Sequence, residues 1–299
     1  MEYTMRLAEV KLGQADTSAD HTGHGPVQVI AVTGGKGGTG KTNVAVNLAH
    51  ALARVGRRTM LLDADLGMAN VNVLLGLTPV RTLFDVVSGN CQIEDIIMTV
   101  DDELMIVPAA SGMRQLASLD CRECAGLVRA FSDLERPLDT LVVDTATGIS
   151  ECVASFCRAA NEIIVVVCNE PASLRESVAQ IELLSAEFGI NRFRILANMV
   201  DGACDGRALF GRMLAEFSDN HTQVLSYAGF VPRDECLVDA MNARTSVVSA
   251  FPRSRSSMAL LNLARQVLSW PQPVQAGGHV EFFVERLIQN ENSGMEVTS

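Results

Sequence analysis

The sequence predicts an α/β fold in three layers, a doubly wound and mainly parallel sheet with helices on both faces. Short apolar runs typical of buried strands alternate along the 299 residues with longer segments of helical periodicity. Apolar residues make up 48% of the chain, which is enough to fill the core of one large domain. The most apolar run, residues 163–168, is expected to be a central strand, because such strands are covered on both faces.

The remaining elements follow from the same two periodicities. The predicted strands cover residues 27–32, 59–62, 104–107, 140–143, 163–168, 194–197 and 224–230. Several predicted helices stop at glycine or proline, such as Gly56, Gly189 and Pro271. The predicted helical segments cover residues 44–56, 70–75, 83–87, 121–134, 171–188, 205–217, 237–244 and 254–270.

The chain divides into one large domain and several flanking segments. A polar arm at residues 1–25 is expected to be flexible, and the main domain spans residues 26–271. Prolines and glycines mark a linker at 272–278, which precedes an amphipathic helix at 279–289 and a disordered tail at 290–299. The first residues lack a signal-peptide pattern and no apolar run approaches a membrane span, so we expect a cytoplasmic protein.

Charge and cysteine content exclude some classes of function. The net charge of −11, from 35 acidic and 24 basic side chains, argues against sequence-independent binding to DNA. We also expect no direct sequence-specific binding to nucleic acid. The eight cysteines are expected to be reduced thiols in the cytoplasm. Cys121 and Cys124 have metal-ligand spacing, but no second pair accompanies them, so buried or idle thiols are the better interpretation.

A glycine-rich loop between the first strand and the first helix predicts a nucleoside triphosphate site. Residues 35–42 match G-x-x-x-x-G-K-[ST] in the strand–loop–helix context that this pattern requires. Backbone N–H groups of such a loop and the start of the helix bind phosphates, Lys41 reaches the β- and γ-phosphates, and Thr42 can ligate magnesium. The predicted ATP contacts in this segment are Gly35, Lys36, Gly37, Gly38, Thr39, Gly40, Lys41, Thr42 and Asn43.

Three aspartates at strand ends predict the magnesium and water-orienting groups. Asp63 and Asp65 are two residues apart, so their side chains face the same way at the end of the second strand. Asp144 follows the apolar run at 140–143, an arrangement that places a carboxylate beside magnesium. Gly148 then fits a switch segment whose N–H can approach the γ-phosphate. The alternative is that these carboxylates only cap the following helices.

With a second lysine in the loop, Lys36, the sequence resembles the deviant phosphate-loop ATPases of the MinD/ParA family. The resemblance implies a P-loop NTPase fold, ATP and Mg²⁺ as cofactors, slow hydrolysis, and an ATP-bound homodimer. In that dimer Lys36 of each chain would reach the partner's nucleotide, as an arginine finger does. The implied magnesium residues are Thr42, Asp63 and Asp144, and the implied catalytic residues are Lys36, Lys41 and Asp65.

The same resemblance extends to the base and to the switch segment. It implies that Asn198, Pro232 and Asp234, which follow two late strands, contact the adenine. Ordinary turn residues are the alternative interpretation of these positions. Thr147 stands where the family usually has alanine, a departure that concerns the rate of hydrolysis more than nucleotide binding.

The C-terminal segment predicts an amphipathic helix. Its apolar residues Val280, Phe283, Val284, Leu287 and Ile288 recur at helical spacing. MinD-like ATPases carry a C-terminal targeting helix, so the resemblance implies a peripheral contact with the membrane. The segment after residue 270 has four glutamates and a single arginine, which favours folding back onto the domain or a partner instead. Both alternatives stay open.

Within the family, three short segments resemble the FleN/FlhG group, which limits flagellar number. They are Val-Pro-Ala-Ala-Ser-Gly at 107–112, Leu-Ala-Asn-Met at 196–199 and Glu-Phe-Phe-Val-Glu-Arg-Leu at 281–287. The resemblance implies a negative regulator of flagellar biosynthesis whose partner is a FleQ-like transcription activator or another flagellar assembly factor. The alternatives are a DNA-segregation or division-site ATPase, and an iron–sulfur electron carrier using Cys152 and Cys124.

Overall fold

The computed structural model describes residues 26–101, 103–110, 119, 121–217, 222–273 and 280–287. The polar segment predicted as an N-terminal arm, 1–25, and the predicted tail at 290–299 lie outside these ranges. The statements below concern the described residues.

Eight strands form one sheet in the order β3-β4-β2-β5-β1-β6-β7-β8. All neighbouring pairs are parallel except β3 and β4, which pair antiparallel at one edge. The strands are β1 (Gln28–Thr33), β2 (Thr59–Ala64), β3 (Met98–Asp101), β4 (Leu104–Val107), β5 (Thr140–Thr145), β6 (Glu162–Cys168), β7 (Arg192–Val200) and β8 (Val224–Pro232). This is the predicted doubly wound sheet, and residues 163–168 form an interior strand as expected.

Helices cover both faces of the sheet. They are α1 (Lys41–Arg54), α2 (Asn70–Leu75), α3 (Leu83–Val87), α4 (Cys121–Ala130), α5 (Glu151–Ala159), α6 (Pro171–Phe188), α7 (Ala203–Glu216), α8 (Glu235–Asn242), α9 (Val247–Ala250) and α10 (Arg255–Val267), with a 3₁₀ turn at Ile93–Ile96. Apolar side chains of α1 and α8–α10 pack on one face, where Ile30 and Val32 point. Those of α4–α7 pack on the other face, where Val29 and Ala31 point.

The parallel strands bring several polar residues to one edge of the sheet. Asp63 lies beside Asp144 in the register of β2 and β5, and Asn198 lies beside Cys168 in that of β7 and β6. In open α/β sheets, ligands bind at this carboxyl edge. The topology therefore collects residues that are far apart in the sequence around the loop that follows β1.

The C-terminal segment differs from the predicted helix at 279–289. Within the described segment 280–287, residues 284–287 are helical, while residues 280 and 281 have no regular secondary structure and residues 282 and 283 form a turn. Phe282 and Phe283 are buried against the α4–α5 side of the domain, and Val280 packs there half-buried. Leu287 is buried as well. Val284 is also half-buried, and Ile288 lies outside the described residues. The physical reason for the difference is tertiary packing, since two adjacent aromatic rings enter one apolar groove and a continuous helix would point them apart.

Arg286 is buried as well, although the sequence suggested a place on a polar face. Its guanidinium donates hydrogen bonds to the carbonyl oxygens of Leu134 and Arg136, at 2.6 and 2.8 Å. The ring of Phe131 contacts Phe282 and Phe283 edge-to-face, with centroids 5.2 and 6.1 Å apart. The segment at 280–287 therefore folds back onto the domain in this structure.

Candidate functional site

The phosphate-binding loop connects the end of β1 to the start of α1, as the sequence predicts. Gly38 and Gly40 adopt left-handed backbone conformations, with φ of 80° and 86°. A Cβ atom added to Gly35 would lie 2.3 Å from the carbonyl oxygen of Glu176, so only glycine fits against α6 there. The loop is thus held in a shape whose backbone N–H groups can surround an anion.

A cavity of about 1500 Å³ opens over this loop and is large enough for a nucleotide. Of the residues predicted to bind ATP or orient water, the following line it: Gly37, Gly38, Gly40, Lys41, Thr42, Asn43, Asp65, Asn198, Pro232 and Asp234. The side-chain amide nitrogen of Asn43 is buried and has no hydrogen-bond partner among the described residues. Gly35, Lys36, Thr39, Asp63, Asp144 and Gly148 are not part of the cavity lining.

Lys41 is 7% exposed and lies between the loop and the strand-end carboxylates. Burial lowers the pKa of its ammonium, while the negative charges of Asp144 and Asp65 act in the opposite direction. A buried cation of this kind is poorly solvated by water. An anion bound in the loop, such as a triphosphate, would place further negative charge beside this buried ammonium.

Asp144 and Asp63 form a buried acidic pair beneath the loop. Burial raises the pKa of Asp144 to about 7, against the opposing effects of the Thr42 hydroxyl and the Lys41 ammonium. Burial and the neighbouring charge of Asp144 raise the pKa of Asp63 well above its usual range. Neither carboxylate oxygen of Asp144 makes a hydrogen bond of normal geometry within the described chain. Two buried oxygens without donors, near a threonine hydroxyl, fit an oxygen-ligated divalent cation such as magnesium.

The two aspartates at the end of β2 occupy different environments. Asp63 accepts hydrogen bonds from the backbone N–H groups of Val71 and Asp65, at 3.2 and 3.3 Å, and so positions the start of α2. Asp65 is half-buried and faces the cavity. The sequence predicted that one serves the magnesium shell and the other orients water, and only Asp65 has direct access to the cavity.

Lys36 points away from the cavity lining and pairs with Glu170, the residue before α6. The hydrogen bond to Glu170 raises the pKa of Lys36, and the same bond lowers the pKa of Glu170. Both side chains are substantially exposed. Lys36 is therefore held by a carboxylate of its own chain at the edge of the phosphate loop.

Asn198 and Asp234 have structural partners in addition to their place at the cavity. The amide nitrogen of Asn198 donates to the carbonyl oxygen of Thr39 at 2.7 Å, which ties β7 to the phosphate loop. Asp234 caps α8 by accepting from the Cys236 N–H, and it also accepts from the N–H and hydroxyl of Ser256. The sequence left open that Asp234 is an ordinary turn residue, and this cap at the turn between β8 and α8 is a structural role of that kind. Each side chain keeps some hydrogen-bonding capacity beyond these bonds, since the Asn198 amide has a second N–H and an oxygen, and the Asp234 Oδ1 atom accepts only one bond from the described residues.

The switch segment after β5 is held by a residue that the sequence did not reveal. Gly148 has φ of 86°, which favours glycine, and its carbonyl oxygen accepts a hydrogen bond of 2.7 Å from Gln180. The same amide nitrogen donates to Thr33 at the end of β1, at 2.9 Å. Thr147 is exposed beside the cavity. Gln180 on α6 therefore couples the switch segment to the strand that leads into the phosphate loop.

Glu170 and Gln180 carry no recognisable motif, because their partners lie 134 and 147 residues away. Glu170 directly precedes Pro171, the first residue of α6. Its place between an interior strand and a helix start was the one sequence signal for a functional position. Gln180 is 1% exposed within α6, and a polar residue at an apolar position of a helix was the signal for a buried hydrogen bond.

The cysteines do not form a metal cluster in the described part of the chain, where no group of three or more metal-ligating side chains occurs. Cys124 is fully buried in the core, and its sulfur lies 2.7 Å from that of Cys152 within the same chain. A ligand that bridges a cluster between subunits must reach the surface. The predicted alternative of an iron–sulfur carrier using Cys152 and Cys124 is therefore wrong for Cys124.

The described helices include none that is both long and apolar enough to cross a membrane.

Comparison with known proteins gives consistent matches along most of the chain. Residues 30–247 match the CobQ/CobB/MinD/ParA nucleotide binding domain. The antiactivator FleN of Pseudomonas aeruginosa is 53% identical over 273 residues, which cover 91% of this chain and 97% of FleN. The cell division ATPase MinD of Pyrococcus furiosus has a TM-score of 0.69 at 25% identity, covering 81% of this chain and 98% of MinD.

A second solved structure resembles the chain to a similar degree. The septum site-determining protein MinD of Pyrococcus horikoshii, complexed with Mg-ADP, has a TM-score of 0.67 at 26% identity. It covers 81% of this chain and 96% of that protein. Together with the phosphate loop, the family match and the FleN relative show that this chain belongs to the MinD/ParA family of nucleotide-binding ATPases, as a relative of FleN.

Proposed function

We propose that this chain is a magnesium-dependent ATPase whose ATP-bound form is a homodimer, and that the dimer negatively regulates flagellar biosynthesis. The 53% identity to an antiactivator over almost the full length of both chains supports the flagellar role. One structural observation supports the switch: Lys36 lies outside the cavity of its own chain and is paired with Glu170.

Binding of the nucleotide follows from the loop geometry. Gly38 and Gly40 aim backbone N–H groups at the phosphates, and Lys41 neutralises the charge of the β- and γ-phosphates. Thr42 and Asp144 would hold the magnesium ion directly, with Asp63 behind them. Magnesium, when bound, supplies positive charge that stabilises the transferred phosphoryl group. A MinD protein complexed with Mg-ADP supports this choice of cofactor.

Hydrolysis requires a positioned water and a second cation. Asp65 faces the cavity from the end of β2, where its carboxylate can orient the attacking water toward the γ-phosphate. Lys36 of the partner would then stabilise the charge that builds up during transfer. Because Lys36 of the partner joins Lys41 at the phosphates only in the dimer, hydrolysis is slow in the monomer. The dimer loosens once the γ-phosphate leaves.

The face around the cavity suits a second copy of the chain. Apolar side chains rim the cavity and are exposed in the single chain, notably Met68 at 68%, Val73 at 64% and Val238 at 54%. Contiguous exposed apolar side chains beside a binding site mark an interaction surface. Lys36 and this rim would enter the same interface, so nucleotide binding and subunit contact are linked.

The regulatory partner would be a FleQ-like transcription activator, which binds the ATP-bound dimer. A reporter that depends on that activator tests the proposal, with the parent chain and Lys41→Ala compared at equal expression. The parent should reduce reporter output and Lys41→Ala, which cannot hold the β- and γ-phosphates, should not. Glu187→Gln, an exposed change at the far end of α6, is the matched control and should act as the parent. Equal repression by parent and Lys41→Ala would contradict the proposal.

A further inference from the structure

Two helices of the domain bring a pair of thiols together beneath the surface. Cys124 on α4 and Cys152 on α5 have their sulfur atoms 2.7 Å apart, although 28 residues separate them in sequence. Among the cysteines whose side chains the structure describes, only this pair brings two sulfur atoms into close contact. The two sulfur atoms are therefore already in direct contact while both cysteines are free thiols.

We propose that Cys124 and Cys152 are a redox-sensitive pair that forms a reversible disulfide with peroxide as the oxidant. Cys152 is half-buried and reachable from solvent, whereas Cys124 is fully buried in the core. The Cys152 thiolate attacks one oxygen of the peroxide, which gives a sulfenic acid at Cys152 and one molecule of water from hydrogen peroxide. The Cys124 sulfur then attacks the Cys152 sulfur and displaces a second water. Two thiols lose two hydrogens in all, and the peroxide is reduced to two waters.

Other buried cysteines lack this arrangement. Burial raises the pKa of Cys157 to about 12 and that of Cys168 to about 11. Thiols of this kind stay protonated at neutral pH, and the thiolate is the reactive form. The sulfur of Cys168 is moreover engaged with the carbonyl oxygen of Thr39. An exposed thiol such as Cys204 can also be oxidised, but formation of a disulfide within the chain should fall on the pair, where an accessible thiol has a second sulfur beside it.

The same two helices hold the C-terminal segment at 280–287. Phe156, one turn after Cys152 on α5, stacks on Phe282 with ring centroids 6.3 Å apart. Phe131 follows Cys124 by two helical turns and contacts the same segment edge-to-face. A disulfide between the helices would fix the width of the groove that these rings form. Oxidation should therefore hold the C-terminal segment on the domain.

Peptide mapping of the full-length protein tests the chemistry. The reduced protein is treated with hydrogen peroxide, free thiols are alkylated, and non-reduced peptides are analysed by mass spectrometry. We expect one intramolecular cross-link between the Cys124 and Cys152 peptides that dithiothreitol reverses. Cys152→Ser should abolish it, while Cys91→Ser, a half-buried cysteine on the edge of the same core, should leave it intact. Stable sulfinic acid at Cys152 without the cross-link, or pairing of Cys152 with another cysteine, would overturn the proposal.

Hydrogen exchange tests the structural consequence. In the oxidised parent, amides of residues 280–287 should exchange at least about threefold more slowly than in the reduced parent. The thermal midpoint should rise by about 5 °C, since the cross-link closes a loop of 28 residues. Peroxide should change neither quantity in Cys152→Ser. A cross-linked protein with unchanged exchange at 280–287 would refute the coupling to the C-terminal segment.

Discussion

Replacing Asn198 with alanine should weaken ATP binding by loosening the phosphate loop. The Asn198 side chain is 6% exposed, and its amide nitrogen donates to the Thr39 carbonyl oxygen at 2.7 Å. Among the described residues, its loss leaves that oxygen with only the Cys168 thiol, a weak donor at 3.5 Å. Removing one partner of a buried hydrogen bond costs about 1–3 kcal/mol. If this cost destabilises the ATP-binding conformation of the loop, the Kd for ATP should rise about 5- to 150-fold.

Titration calorimetry of the parent and of Asn198→Ala with ATP and with tripolyphosphate separates two roles for this residue. A residue that braces the loop should weaken both ligands by the same factor, because both bind through phosphates. A residue that contacts adenine should weaken ATP alone. The matched control is Asn161→Ala, which removes a 2.7 Å bond to the Val29 N–H at the opposite end of β1 and should leave ATP affinity unchanged. An Asn198→Ala affinity for ATP within twofold of the parent would refute the bracing role.

Three further substitutions test other parts of the site and fold. Asp65→Ala should still bind ATP but lose turnover, so ATP-bound dimer should accumulate in sizing experiments; a parent-like turnover would contradict the role in orienting water. Because burial raises the pKa of Asp144 to about 7, ionisation of this carboxyl costs the folded state stability as pH rises from about 4 to 7. Asp144→Asn without nucleotide or magnesium should therefore melt at or above the parent temperature at pH 8, yet lose magnesium-dependent stabilisation by ATP; a lower melting temperature would contradict this account. Phe283→Ala removes a side chain that is 1% exposed, at a cost of about 3–5 kcal/mol, and should expose residues 280–287 to hydrogen exchange, whereas the half-exposed Phe251→Ala should not.

Local patterns were sufficient to predict most of the fold. The phosphate loop lies between β1 and α1 because its glycines and the apolar runs on either side are contiguous in sequence. The helix at Pro171–Phe188 has the predicted bounds, since proline at its start and Gly189 at its end are strong local signals. The edge strand Met98–Asp101 was not predicted, because three of its four residues are exposed and it lacks an apolar run.

Contacts between distant segments could not be predicted from the sequence. Asn198 was identified by its place after a strand, but its bond to Thr39 depends on the pairing of β6 with β7. The C-terminal segment was recognised as apolar, yet its buried side is set by the groove between α4 and α5. The burial of Arg286 depends on two carbonyl oxygens about 150 residues earlier, for which no local pattern exists.

The most direct test of the switch is the mass of the purified protein measured by light scattering with a non-hydrolysable ATP analogue or with ADP. The parent should be a dimer with the analogue and a monomer with ADP. Lys36→Ala should bind ATP without parent-like turnover, and Glu170→Gln, which frees Lys36 from its partner in the same chain, should dimerise at least as readily as the parent. A parent that stays monomeric when saturated with the analogue, or a Lys36→Ala variant that hydrolyses ATP at the parent rate, would contradict the account.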